Sequence, residues 1–295
     1  MNNIVRHTWP VLVTVIVNLT LVLTVNCESA EIRELKLGVR EDAPPFAFQR
    51  EGDNGFRGYS VDLCKQIAYR AVQSGKYDRV KFVPVTSKSR FDALRNHDAD
   101  VLCEATTVTL GRIRDFSQTL YTFLSGASFM YPRSTNISGA QQHLRVGVLR
   151  DTTTKAHLNG TIWPRMKIDL NNIGFNNLED FVLVEVDNHW QYEKFFNEKK
   201  IDIYIADREI LIALNRISGN ENYSVSPGYY SIEPYALFTR REDVELLYIA
   251  NTTLRNLYRE TNENVNIKEI LERNFPGQIF SSTLLQLFKL QRLLD

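Results

Sequence analysis

The chain carries no surplus charge of either sign, with 35 Lys and Arg against 35 Asp and Glu. No overall field therefore draws it to nucleic acid or to an anionic membrane, and any recognition by charge must be local. Cysteine is scarce, three in 295 residues, and none has a nearby histidine at metal-ligand spacing, so the sequence supplies no metal site and no cofactor motif. Long apolar runs are missing after the N-terminus, and no later segment approaches the hydrophobicity of a membrane span. What is present, 43% hydrophobic and 24% charged residues, is globular material for one large or two ordinary domains.

The apolar run Val11–Val25 follows Arg6 and His7 and leads into small residues ending at Ala30. Its 15 residues fall short of the roughly 20 that a spanning helix needs. Residues 1–30 are therefore read as a cleaved signal peptide, and the mature protein as periplasmic. Cys27 invites a lipoprotein reading, but Thr24, Val25 and Asn26 make a poor lipidation box. Export leaves Cys64 and Cys103, an even pair in an oxidising compartment, and a disulfide between them is expected over two separate buried thiols.

From Leu35 onward short apolar runs alternate with amphipathic segments, the pattern of parallel sheet covered by helices. LKLGVR, VKFVPV and ADVLC read as strands. YSVDLCKQIAYRAV reads as a helix, with Ser60 as its N-cap and Val61, Cys64, Ile67, Ala68 and Ala71 on one face. A second series follows, with strands LRVGVL, FVLVEV and IDIYIA set among helices TTTKAHL, HWQYEKFFNEK and DREILIALNRI. Two α/β lobes are implied. GASFMYP and EPYALFTRR fit neither series and serve as crossovers. The first lobe is then discontinuous, 31–131 plus 232–295, with the second, 132–231, inserted into it. Two connections between rigid lobes make a hinge, and a ligand cleft between the lobes follows. The tail SSTLLQLFKLQRLL reads as a helix packed on the first lobe.

The stretch CEATTVTLGRIRDFS sets Arg112 and Arg114 where a helix begins, beside unpaired N–H groups and the positive end of the helix dipole. Such a place favours an anion. LGVREDAPPFAF, GYSVDLCKQIA, VPVTSKSRFDAL, DADVLCEATTVTLGR, FSQTLYTFLSGASFMY, VGVLRDTTT and EPYALFTRR, in this order and spacing, resemble the periplasmic amino-acid-binding proteins of ABC importers. The resemblance covers nearly all of the mature chain. It implies a two-lobed α/β type II periplasmic binding protein fold, with no catalytic residues and no cofactor. It also implies a monomer that captures an amino acid by lobe closure and hands it to an ABC permease.

The same resemblance implies roles for residues. Arg112 grips the ligand's α-carboxylate, a planar fork on a planar acid, with Thr107 and the backbone of Ala105 completing the cradle. Thr152 and Thr153 reach the carboxylate from the second lobe, Asp207 receives the α-ammonium, and Phe46 packs on the aliphatic part. Arg114, two positions on from Arg112, reads as a solvated charge. Arg40, Arg90 and His189 resemble the branch that binds glutamate and aspartate, where residues of these types meet the side-chain carboxylate. Arg40, Arg90 and Arg112 against Asp207 leave the site at plus two, or plus one if Glu104 faces in, so an acidic amino acid is expected. Two other readings share the fold: an enzyme similar to periplasmic cyclohexadienyl dehydratases, with Glu104 as the proton donor, and a ligand sensor for a membrane receptor.

Overall fold

The computed structural model describes residues 32–133, 143–175, 178, 180–219, 222–259 and 266–294. Residues 1–30, expected to be a signal peptide, and with them Cys27, lie outside the described residues. The chain opens with β1 (Glu34–Val39), whose Leu35, Leu37 and Val39 are fully buried. A hairpin of β2 (Asp42–Ala43) and β3 (Ala47–Phe48) follows, then α1 (Tyr59–Gln73), β4 (Arg79–Pro84), α2 (Arg90–Arg95), β5 (Val101–Leu102), α3 (Leu110–Asp115) and β6 (Ser117–Ser125). The expected face of α1, Val61, Cys64, Ile67, Ala68 and Ala71, is buried.

Ser60 is not the cap of α1. Gly58 holds that position with φ 128°, and a Cβ there would lie 2.3 Å from the Phe46 carbonyl oxygen, so only glycine fits. The Ser60 hydroxyl instead donates to the Glu104 carbonyl at 3.1 Å. This bond ties α1 to the loop after β5. The Cys64–Cys103 disulfide, with Cα atoms 6.0 Å apart, ties the same two elements together.

The chain continues through β7 (Ala127–Pro132), β8 (His143–Leu149), α4 (Thr153–His157) and a π turn at Leu158–Ile162 into α5 (Trp163–Asn172). Then come β9 (Asp180–Val186), a 3-10 turn (His189–Gln191), α6 (Tyr192–Asn197), β10 (Ile203–Asp207), α7 (Arg208–Ile217) and β11 (Tyr223–Val225). Finally β12 (Glu233–Thr239), α8 (Val244–Tyr258), α9 (Ile267–Asn274) and α10 (Ser282–Gln291) return to the first lobe. Leu284 and Phe288 of α10 are buried, and the Phe288 ring stacks on Tyr258 at 4.7 Å, as the apolar stripe of the tail requires.

Two five-stranded sheets result, ordered β4-β1-β5-β12-β6 and β11-β7-β10-β8-β9. In each, four strands run one way and one runs against them, β12 in the first sheet and β7 in the second, so the sheets are mixed rather than purely parallel. The reversed strands are the crossovers. β7 pairs with β10 of the second sheet, which moves the first crossing from residue 131 back to Gly126, and β12 pairs with β5 and β6 of the first. A Cβ on Gly126 would sit 2.2 Å from the Ser231 carbonyl oxygen, so the two crossovers run against each other. The carboxyl ends of β1, β5, β8 and β10 bring Arg40, Ala105, Thr152 and Asp207 to a common cavity, the usual place for a ligand in α/β sheets.

Candidate functional site

At one end of the cavity, α3 starts where the Thr109 hydroxyl accepts the Arg112 backbone N–H at 3.3 Å. The Arg112 guanidinium folds back to donate to the Thr107 carbonyl at 2.6 Å and lies 5.2 Å over the Phe91 ring. Burial, and then the charge of Arg90, bring the Arg112 pKa down to about 10, so the group stays cationic at neutral pH. Arg114 is exposed and pairs with Asp115 at 2.7 Å, the expected solvated charge. From the second lobe, the Thr152 hydroxyl caps α4 by accepting from the Lys155 N–H at 3.2 Å. Thr153 Oγ1 lies 3.2 Å from Thr107 Oγ1 and donates to Glu233 Oε2 at 2.9 Å.

Asp207 stands where β10 gives way to α7, at the N-cap position, yet its side chain makes no capping bond. Its Oδ2 accepts from the Tyr235 hydroxyl, while its Oδ1 is shielded from solvent and has no hydrogen-bond partner among the described residues. Burial first, and then the negative charge of Glu233, push the Asp207 carboxyl up to about 8 against the Tyr235 hydrogen bond.

The same cavity is lined by Arg40, Arg90 and His189, all buried, with Arg90 5.3 Å over the Phe91 ring that Arg112 also covers. None of them lacks a partner. Arg40 Nε donates to Asp42 Oδ1 at 2.8 Å and also lies 3.7 Å from Glu104 Oε2, while Arg90 Nη1 reaches both oxygens of Glu104 at 3.1 Å. Burial works to raise the Asp42 carboxyl, but Arg40 and His189 hold it below the usual carboxylate range. His189 crosses between lobes: its backbone N–H donates to Asp42 Oδ2 at 2.9 Å, and its ring Nδ1 meets the Tyr204 hydroxyl at 2.7 Å. Burial drives the His189 pKa down to about 3, with Arg40 assisting and Asp42 opposing, so the ring is neutral. Beside it the Trp190 indole donates to the Glu41 carbonyl at 3.0 Å.

Arg40, Arg90, Ala105, Thr107, Arg112, Thr152, Thr153, His189 and Asp207 all line this one cavity, a tight one of about 20 Å³. Phe46 does not line it. Its ring is fully buried in the first lobe, edge-on to Tyr59, Phe123, Tyr235 and Phe275 at 5.0–6.2 Å, so it is a core aromatic. Glu104 does not line it either: fully buried, it accepts from Arg90 and from the Thr106 hydroxyl at 2.7 Å. A carboxylate so engaged is a poor proton donor to a substrate. Among the described residues, no cluster of His, Cys, Asp or Glu is arranged to hold a metal ion.

The arrangement sets a cation and an anion at separate places in one small cavity on rigid strand ends. Residues 35–275 match the description of the bacterial extracellular solute-binding proteins, family 3. The chain belongs to this family. Among its relatives, YhdW of Escherichia coli, named as an amino-acid ABC transporter-binding protein, is 25% identical over 81% of this chain and 67% of its own. AapJ of Rhizobium johnstonii, named as a general L-amino acid-binding periplasmic protein, is 25% identical over 74% of this chain and 61% of its own. The match thus spans about two thirds of these relatives. An ancestral arginine-binding protein, solved with glutamine bound, superposes with a TM-score of 0.65 over 82% of this chain and 97% of its own. At 21% identity that likeness speaks for the fold alone.

Several groups at the cavity of this solute-binding protein escape a reading of the sequence. Leu149, Thr154, Ile205, Ala206 and Ile210 line it beside the expected residues, and position next to strand ends is the only signal that could have marked them. Asp42 and Glu233 are absent from the expected set although both join its hydrogen-bond network. Asp42 could have been found as the second residue after Arg40. Glu233, 80 residues from Thr153, gives no local sign.

Proposed function

We propose that this family 3 protein captures an amino acid between its lobes outside the cytoplasm and delivers it to an ABC permease. One observation carries the reading. Arg112 and Asp207, a part-buried guanidinium and a carboxylate with an oxygen that has no partner among the described residues, face a single cavity from opposite lobes. A zwitterion matches both: its α-carboxylate receives Arg112, and its ammonium supplies the donors that Asp207 Oδ1 lacks.

Glutamate or aspartate, the expectation from arginine count, loses its basis in charge. Arg40, Arg90 and Arg112 supply three positive charges, while Asp42, Glu104, Asp207 and Glu233 supply four carboxylates. Arg40 and Arg90 already hold counter-ions, and a second carboxylate beside them would compete with Asp42 and Glu104. Arg90 Nε nevertheless remains buried without a hydrogen-bond acceptor among the described residues, whereas Arg40 Nη2 lies 2.7 Å from Asp42 Oδ1. A side chain ending in a neutral acceptor satisfies Arg90 Nε without added charge. The ligand is therefore an amino acid with an uncharged polar side chain, such as glutamine or asparagine.

Calorimetry of protein stripped of ligand by partial unfolding tests this against L-glutamine, L-asparagine, L-glutamate, L-aspartate and L-arginine. Saturable binding at about micromolar or tighter is expected, with the amide preferred over its acid by at least roughly tenfold. Tightest binding of an acid would refute the charge balance. Failure of every amino acid to bind would refute the function.

A further inference from the structure

Three carboxylates stand buried or part-buried where the crossovers meet the cavity. Each is held by hydroxyl groups only. Asp207 accepts from Tyr235; Glu233 accepts from Thr153 at 2.9 Å and from Ser231 at 2.8 Å; Glu209 accepts from Ser125 and from Tyr229 at 2.6 Å. Among the described residues none of the three makes an ion pair. Uncompensated anions in one shielded region repel each other, and a proton or a cation between them relieves the repulsion. Only Asp207 lines the cavity.

Resting on the amino-acid reading above, we infer that Glu233 is a positioning residue of the ammonium subsite. It orients the Thr153 hydroxyl, and it pairs with Asp207 so that the ligand-free site holds one proton, which the incoming ammonium displaces. Glu233 lies two residues before Tyr235 on β12, so one strand presents both the carboxylate whose charge acts on Asp207 and the hydroxyl that donates to it. Because a carboxylate only accepts, the Thr153 hydroxyl proton points to Glu233, and the Thr107 hydroxyl must donate to Thr153. Glu233 thereby sets the direction of the whole Thr107–Thr153–Glu233 chain across the two lobes. The other charged groups acting on Asp207 are Glu209, which adds to the repulsion, and Arg40, which opposes it; Arg112 feels the charges of both Glu233 and Asp207.

The step balances simply. Asp207 carries its proton in the ligand-free protein, the zwitterion arrives with an intact ammonium, and the proton leaves to the solvent as the ammonium meets the Asp207 carboxylate. With Asp207 titrating at about 8 when free, binding at pH 6.5 releases nearly one proton, and affinity weakens about tenfold for each pH unit from 7.5 down to 5.5.

The test is calorimetric titration of the mature protein with L-glutamine at pH 6.5 in two buffers of different ionisation enthalpy, with an affinity series from pH 5.5 to 7.5. Wild type should release close to one proton per ligand. Glutaramate, which is glutamine without its ammonium, should bind more weakly and release none. In Glu233→Gln the pH at which affinity begins to fall should move down by at least about one unit, because Asp207 has lost its charged neighbour. Saturable binding without proton release in wild type would overturn the inference and leave the amino-acid reading standing, whether or not the variant folds. An unchanged pH profile in folded Glu233→Gln would also overturn it. If no amino acid binds at any pH, both fall.

Discussion

Arg90 Nη1 lies 3.1 Å from each oxygen of Glu104, an ion pair closed off from solvent on both sides. The arginine that a sequence comparison offers to the ligand is thus engaged with the protein. Removing it leaves Glu104 buried with Thr106 and a more distant Arg40 at 3.7 Å. Arg90→Ala should therefore cost about 3 to 5 kcal/mol of stability, whatever it does to ligand preference. Denaturant unfolding checks this, and adding Glu104→Gln should recover part of the loss. A fully stable Arg90→Ala protein would mean that the pair is not formed.

The disulfide between Cys64 and Cys103 joins residues 39 apart in sequence. Closing a loop of that length stabilises a fold by about 4 kcal/mol in the chain-entropy model. Reduction, or the Cys64→Ala, Cys103→Ala double variant, should lower the unfolding midpoint accordingly. Thiol titration of denatured, unreduced protein should find neither of these two cysteines free.

His189 has its pKa lowered to about 3, whereas an unfolded chain leaves histidine near 6.5. A base whose folded pKa is depressed gives stability that is complete above the unfolded value and lost as pH falls towards the folded one. The loss between pH 7 and pH 5 is about 2 kcal/mol for this group. Asp207 works in the opposite direction, its raised pKa adding stability on acidification, but it is common to wild type and His189→Asn. The difference between those two proteins, measured by urea unfolding at pH 7 and pH 5, isolates the histidine. Wild type should lose about 2 kcal/mol more than the variant, and parallel behaviour would contradict a buried neutral ring.

Much of this is legible in the chain. Alternating apolar runs such as LKLGVR and LRVGVL mark strands, and strand ends are where an α/β fold places its ligand groups, so Arg112, Thr152 and Asp207 come to one cavity. The helix WPRMKIDLNN is harder to see, since Pro164 and the charges around it mask Trp163, Met166 and Leu170, its buried face. Phe46 shows a different limit: an aromatic after a turn packs equally well on a ligand or in a core, and the neighbouring rings decide. Charge is the least legible property. Arg40 and Arg90 look like a surplus until Asp42, Glu104 and Glu233 are placed beside the cavity, and His189 and Asp42 are 147 residues apart in sequence.

The central claim is that Asp207 and Arg112 hold the two ends of one zwitterion, and Asp207→Asn tests it most directly. Asparagine resembles the protonated carboxyl that Asp207, titrating at about 8, carries at neutral pH, and it can still accept from Tyr235. The ligand-free variant should unfold within about 1 kcal/mol of wild type at pH 7. Its affinity for L-glutamine, read by calorimetry on stripped protein, should fall by at least roughly a hundredfold, because the ammonium loses its carboxylate. Equal affinity in wild type and Asp207→Asn would contradict the account.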